Sequence, residues 1–263
     1  MSSYQHGSTV PSRDKVRVEG LSKWFRVNGA IIQTLDRLSL SAGEGEFVSI
    51  VGPSGSGKTT LFNVICGLLM PDEGTVEIDG RVTTGQRGVV AYMPQRDLLL
   101  PWRTVLGNVL LGAEVARMPL AAVRDEALSL MPEFGLDGFA DRYPHELSGG
   151  MRQRAALLRT YLFHRDVLLL DEPFGALDAL TRRQLQLWLI SVWEPARKTI
   201  LFITHDVEEA VFLSDRVYVL TPRPATVRSE LVVDLERPRT PTTALSPRFA
   251  ELRSELLTAL EFA

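Results

Sequence analysis

Three stretches of this chain carry residue types that could hold and cut a phosphate anhydride. Gly52-Pro53-Ser54-Gly55-Ser56-Gly57-Lys58-Thr59 fits the spacing GxxxxGK[ST], and Thr60 continues the stretch. Glycines at 52, 55 and 57 let the backbone turn tightly, so that successive N–H groups point into one concavity, an anion nest at a helix N-terminus. Lys58 adds a positive charge for the β and γ phosphates, and the Thr59 hydroxyl is placed to ligate Mg²⁺. The second stretch is Val167-Leu168-Leu169-Leu170-Asp171-Glu172. A buried strand presents its last residues at the carboxyl edge of the sheet, where ligands bind in open α/β folds. Two carboxylates there can divide the labour, Asp171 holding Mg²⁺ through its water shell and Glu172 polarising water for in-line attack on a γ-phosphate. The third, Ser148-Gly149-Gly150, opens an amphipathic pattern from Met151 to Phe163. Free N–H groups and the positive end of that helix dipole offer a second phosphate site, although Ser148 is also a good helix cap with no other role.

These side chains need a scaffold that brings distant segments to one edge. Strand and helix patterns alternate along most of the chain, as in an α/β fold with a mainly parallel sheet and helices on both faces. Phe47 to Val51 is a short apolar strand running straight into the glycine loop, and 58–68 reads as the helix after it. Strands follow at 75–78 and 88–93, with Asp79-Gly80 as a turn signal. From about 96 to 164 the strand pattern gives way to amphipathic helices such as 105–115 and 121–131, an inserted helical segment. Strands return at 167–170, 199–204 and 216–220, separated by helices over 179–193 and 207–213. Past Thr221 the composition shifts to prolines (Pro222, Pro224, Pro238, Pro241, Pro247) before a last helical pattern from Phe249 to Leu260.

The chain's 263 residues suffice for one large α/β domain, or a core with a small lobe, and leave no room for a second nucleotide domain. Hydrophobic residues make up 45% and charged ones 23%, as in a globular protein able to bury a sizeable core. A net charge of -3 gives no footprint for nucleic acid or anionic lipid. The one cysteine, Cys66, lies in an apolar helical pattern, reads as a buried core thiol and excludes a disulfide framework. No apolar run approaches the ~20 residues needed to span a bilayer. Residues 1–14 are polar, lack a signal-peptide pattern and read as a flexible cytosolic start. If this protein moves something across a membrane, the channel must come from another polypeptide.

Leu147-Ser148-Gly149-Gly150-Met151-Arg152-Gln153-Arg154, roughly ninety residues after the glycine loop and just ahead of Asp171-Glu172, resembles the signature of ABC transporter ATP-binding subunits. The resemblance runs from about Val16 to Leu260. It implies a P-loop NTPase fold: a RecA-like mixed-sheet core with an antiparallel β subdomain (15–95 and 165–225), an inserted α-helical subdomain (96–164) and a C-terminal tail with a helix (226–263). It implies that Gln95 contacts Mg²⁺ and the lytic water, and that His205 donates to the γ-phosphate. Phe25 would stack on adenine, with Trp24 as the alternative in Lys23-Trp24-Phe25. Gly175-Ala176-Leu177-Asp178 resembles the segment through which dimer partners touch, although Asp178 would also serve as a plain N-cap. Ser148, Gly149 and Gly150 would contact the γ-phosphate held by a second copy, so that two ATP molecules with Mg²⁺ are sandwiched in a head-to-tail dimer. The remaining partners would be transmembrane permease subunits and, indirectly, an extracytoplasmic solute-binding protein, with this chain peripheral on the cytoplasmic face of the inner membrane and no nucleic acid partner.

The segment Gln95 to Val105 is similar to that of importers for nitrate, sulfonates, taurine and thiamine precursors. Leu98 to Trp102 would then help form the groove for the permease's coupling helix, or else pack inside the helical lobe. Soluble ABC ATPases acting on DNA or ribosomes share the site but usually carry a long coiled coil or two nucleotide domains. A soluble assembly factor of the same family would share every motif. A small-molecule kinase would lack the Ser-Gly-Gly segment.

Overall fold

A computed structural model describes residues 14–175 and 177–261. The described chain opens with a long antiparallel ribbon of β1 (Asp14–Val27) and β2 (Ala30–Gly43). Its turn falls at Asn28-Gly29, both with positive φ (50° and 82°), as a two-residue hairpin requires. β3 (Phe47–Val51) leads through the glycine loop into α1 (Lys58–Ile65). β4 (Glu73–Ile78) and β5 (Arg81–Val82) then join the ribbon in a four-stranded sheet of order β2-β1-β4-β5. After β6 (Ala91–Met93) come α2 (Val105–Val109), α3 (Leu111–Val115), α4 (Leu120–Leu130) and α5 (Gly149–Tyr161), with no strand among these described residues before β7 (Val167–Asp171). The remainder runs α6 (Ala179–Ala196), β8 (Thr199–Ile203), α7 (Val207–Leu213), β9 (Arg216–Leu220), β10 (Val227–Val232) and α8 (Pro247–Glu261).

The second sheet has the order β10-β9-β3-β8-β7-β6, parallel from β9 to β6, with β10 antiparallel at the edge. β3, β7 and β8 are buried at every position, as strands covered on both faces must be. Their period-2 alternation feeds two cores. Phe47, Leu168, Leu170, Ile200 and Phe202 face the helical side, with Trp193 and much of the helical segment. Val48, Ile50, Val167, Leu169, Leu201 and Ile203 face α1 and the four-stranded sheet. Register does the positioning: Ile50 and Asp171 both pair with Ile203, and Met93 pairs with Leu170. The carboxyl ends of four strands therefore lie in one row, each about 4.8 Å from the next.

Several details differ from the sequence expectations, four of them beyond a shift of a few residues at a helix end. The helix expected over 105–115 is two short helices broken at Leu110 (φ −79°, ψ −7°), where Gly112 packs so closely on Phe163 that a Cβ there would stand 3.0 Å from its ring. The strand expected from Gly88 starts at Ala91, since Gly88 takes φ 77°. β10 lies in the region read as tail, so the core sheet continues to Val232 rather than ending at 225. Asp14, read as part of the flexible start, begins β1, while 1–13 lie outside the described residues. No helix among the described residues is long and apolar enough to cross a membrane.

Candidate functional site

A cavity of about 440 Å³ opens at this row of strand ends. Gly52, Ser54, Gly55, Gly57, Lys58, Thr59 and Thr60 line it from the β3–α1 connection, and Gln95, Asp171, Glu172 and His205 from the ends of β6, β7 and β8. Gly57 takes φ 111°, and a Cβ there would meet Thr34 Cγ2 at 2.9 Å, so this turn admits no other residue without displacement. Lys58 Nζ donates to the carbonyls of Gly52 and Pro53, both at 2.9 Å, and lies 3.4 Å from Ser56 Oγ. Its burial pushes the ammonium pKa down, opposed by the carboxylates of Glu172 and Asp171.

Across the cavity, Thr59 donates to Asp171 Oδ2 at 2.8 Å. Asp171 is buried, and this desolvation pushes its carboxyl up to about 6 despite the Thr59 hydrogen bond. Glu172 sits one residue beyond the strand in the left-handed region (φ 47°), a conformation costing a non-glycine residue about 1–3 kcal/mol. Backbone bonds hold it there: its N–H donates to Ile203 O at 2.9 Å, and its carbonyl accepts from Gly175 N at 3.2 Å and Gln153 Nε2 at 3.4 Å. The side chain turns into the cavity, where Gln95 Nε2 donates to Glu172 Oε2 at 3.2 Å and His205 Nδ1 lies 3.4 Å from the same oxygen. Three segments with no sequence proximity thus meet on one carboxylate oxygen.

The other expected residues stand elsewhere. Ser148 caps α5 by accepting from Met151 N at 3.2 Å. Ser148 and Gly149 are exposed and Gly150 half-buried, and none of the three lines the cavity of its own chain. Asp178 caps α6 through Thr181 N at 3.0 Å, and Ala176 lies outside the described residues. Phe25 is half-buried on β1 with Lys23 Nζ 5.6 Å from its ring centroid, and neither it nor Trp24 lines the cavity. Leu98 and Trp102 are exposed while Leu99 between them is buried, so the segment divides between exposed apolar side chains and internal packing. Cys66 is buried and free. Arg223, which no motif singled out, lines the cavity and donates from Nη2 to Gly55 O at 3.0 Å. It lies in Pro222-Arg223-Pro224, where the composition shifts to prolines and no motif signals the contact.

Residues 35–175 match the family described as ABC transporter. This chain belongs to the ABC transporter family. An uncharacterised ABC transporter ATP-binding protein of Methanocaldococcus jannaschii is 46% identical over 94% of this chain and 91% of that protein. A taurine import ATP-binding protein of Rhizobium johnstonii is 42% identical over 93% and 96%. A formylaminopyrimidine import ATP-binding protein of Halalkalibacterium halodurans is 46% identical over 77% and 80%. Among solved structures, a dimeric bacterial ABC transporter cassette superposes with TM-score 0.76 at 31% identity, covering 83% of this chain and 98% of that one. The same cassette in a dimeric post-hydrolysis state, bound to ADP and Pi, gives 0.74 at 30% identity. As a member of the ABC transporter family with this fold and cavity, the chain is an ATPase of the cassette type. Among the described residues of this ABC cassette there is no cluster of three or more His, Cys, Asp or Glu able to cage a metal ion.

Proposed function

We propose that this ABC ATPase energises the import of a small solute through permease subunits it does not itself contain, by closing and opening a head-to-tail dimer around two ATP molecules. The observation that carries the hydrolytic half is the meeting of Gln95 and His205 on Glu172 Oε2, beside the glycine loop and the Thr59–Asp171 pair. The phosphates would lie along the N–H groups of the loop and the N-terminus of α1, with Lys58 against the β and γ groups. Glu172 would accept the proton of the attacking water and aim it along the bond to the leaving oxygen. Gln95 would orient that water, and His205 would donate to the γ-phosphate. The strained backbone of Glu172 fixes the carboxylate before substrate arrives, so little reorganisation remains for the reaction.

The donor set suits Mg²⁺, which prefers hard oxygen ligands and keeps several waters rather than requiring an all-protein cage. Thr59 Oγ1, Asp171 through water and the Gln95 side chain would hold it, and once bound it would neutralise charge on the β and γ oxygens. Burial that disfavours an ionised Asp171 is relieved by a divalent cation, which is the chemical fit between that residue and the metal. Ser148, Gly149 and Gly150, exposed at the start of a 13-residue helix, would meet the γ-phosphate held by the partner copy. Phe25 would stack on adenine, and Asp178 would stand at the dimer contact.

The import reading is supported by relatives whose names specify taurine and formylaminopyrimidine. Such different solutes at similar identity fit selectivity residing in a permease and an extracytoplasmic binding protein. Leu98 and Trp102 would anchor the permease at the cytoplasmic face of the membrane. The test is Glu172→Gln, which keeps shape and the Gln95 contact but removes the base. ATP binding should remain, turnover should fall by about a hundredfold or more, and an ATP-bound dimer should accumulate. Undiminished turnover would remove Glu172 from the mechanism.

A further inference from the structure

Two fixed cations line the cavity, and the roles assigned above use one of them. Lys58 lies deep, tied to carbonyls of its own loop. Arg223 is exposed, on the turn between β9 and β10, and reaches the same glycine loop at Gly55. That turn is built to hold it. Thr221 N donates to Thr226 O at 3.1 Å and Thr226 N to Thr221 Oγ1 at 2.9 Å, closing the hairpin. Ala225 N donates to Thr34 O at 2.9 Å and Ala225 O accepts from Asp36 N at 3.0 Å, stitching the hairpin to β2. Thr34 is the residue packed against Gly57, so the turn and the glycine loop share one wall.

The charge balance of the cavity points the same way. Lys58 and Arg223 line the cavity with Asp171 and Glu172, two against two, and a triphosphate keeps net negative charge even with one Mg²⁺ bound, more than one lysine offsets. Arg223 uses Nη2 for Gly55, and its guanidinium, which lines the cavity, carries further N–H groups in the fork geometry that suits phosphate oxygens. A mere brace for the loop would need one donor and no charge. We propose that Arg223 is a nucleotide-binding residue, a second cationic clamp on the polyphosphate supplied by the β9–β10 turn. This rests on the reading of the cavity as the ATP site.

The experiment measures equilibrium binding of ATP and of inorganic tripolyphosphate to the full chain at low and high salt, for the wild type, Arg223→Gln, Arg223→Lys and Lys58→Ala. Loss of a charge-assisted contact should weaken both ligands by about tenfold in Arg223→Gln, and the affinity should depend less on salt than in the wild type. Arg223→Lys keeps the charge and loses the fork, so it should weaken both ligands several-fold while retaining the salt dependence. This variant carries the test if the glutamine variant melts early. Wild-type affinity in Arg223→Gln with weakened binding in Lys58→Ala would overturn the role of Arg223 and leave the cavity reading intact. Wild-type affinity in Lys58→Ala would instead overturn the cavity reading itself. A loss in Arg223→Gln for ATP alone, equal at both salts and absent for tripolyphosphate, would reduce Arg223 to a brace and also overturn the inference.

Discussion

Lys58, Thr59, Asp171 and Glu172 could be read from sequence because the chemistry confines each to one or two types at one spacing. Gln95 and His205 were legible only through family resemblance, since a lone Gln or His has many roles. Glu209 was legible by neither route. It lies on α7, buried, accepting from Thr204 Oγ1 at 2.7 Å and Gln186 Nε2 at 3.2 Å, with Arg182 Nε 3.7 Å away. Thr204 precedes His205, and Arg182 and Gln186 belong to the helix capped by Asp178, so one carboxylate ties the histidine loop to the proposed dimer contact. Burial raises the Glu209 pKa above its ordinary 4.5, the two hydrogen bonds and Arg182 oppose the shift, and the Asp206 carboxylate adds to it. A carboxyl with a raised folded pKa binds its proton more tightly when folded, so its contribution to stability falls as pH rises upward from about 4.5. Glu209→Gln removes this dependence. The melting temperature of the variant minus that of the wild type should therefore increase steadily across that range. A difference that is flat or falls with pH would show that Glu209 is ionised as readily in the fold as outside it.

At the scale of elements, the parallel strands were legible because strands covered on both faces are short, apolar and bounded by turns. An antiparallel β subdomain was expected only from the family resemblance, and its strands β1 and β2 were not assigned, although Asn28-Gly29 between two half-buried strands is a strong hairpin signal. Its alternation is interrupted by bulges between Val18 and Lys23, which blur the period of two. β10 was hidden for another reason: its alternation is weak at an edge, and prolines surround it. The segment after Gln95 shows how an element holds an irregular loop. Asn108 of α2, fully buried, accepts from Leu100 N at 2.6 Å and donates to the carbonyls of Leu100, Arg103 and Thr104 at 3.0–3.1 Å. Arg159 of α5 holds the carbonyls of Asp97 and Leu98 at 2.6 and 2.9 Å. Asn108→Ala should lower stability by about 2–3 kcal/mol, because buried polar groups of the loop are left without partners, and should weaken capture of the permease. Trp102 is 72% exposed. Trp102→Ala should change stability by no more than about 0.5 kcal/mol yet weaken permease capture as much. Denaturant melts beside co-purification with the membrane subunits separate the two, and intact capture in Trp102→Ala would move the docking surface elsewhere.

At the scale of the whole molecule, the puzzle is a helix start, proposed above to bind phosphate, that does not line the cavity of its own chain. Ser148 opens α5, and the same helix carries Gln153, whose Nε2 reaches the Glu172 carbonyl, and Arg152, whose Nε reaches Asp97 Oδ2 at 3.1 Å. Whatever engages the exposed end of α5 is thereby linked, through little more than one helical turn, about 8 Å, to the backbone of the proposed base and to the segment after Gln95. A second copy bringing its nucleotide to Ser148 would use that link, so each chain would hold two half-sites. Ser148→Arg in the Glu172→Gln background separates the halves. The arginine fills the approach to the helix start without touching the cavity behind Lys58, so each monomer should bind ATP with its affinity little changed. The dimer that Glu172→Gln alone accumulates should then be missing when both are sized by gel filtration with ATP. A doubly substituted protein that still elutes as a dimer would refute the assignment of Ser148 to the partner's phosphate, whereas loss of ATP binding by the monomer would place Ser148 in its own chain's site.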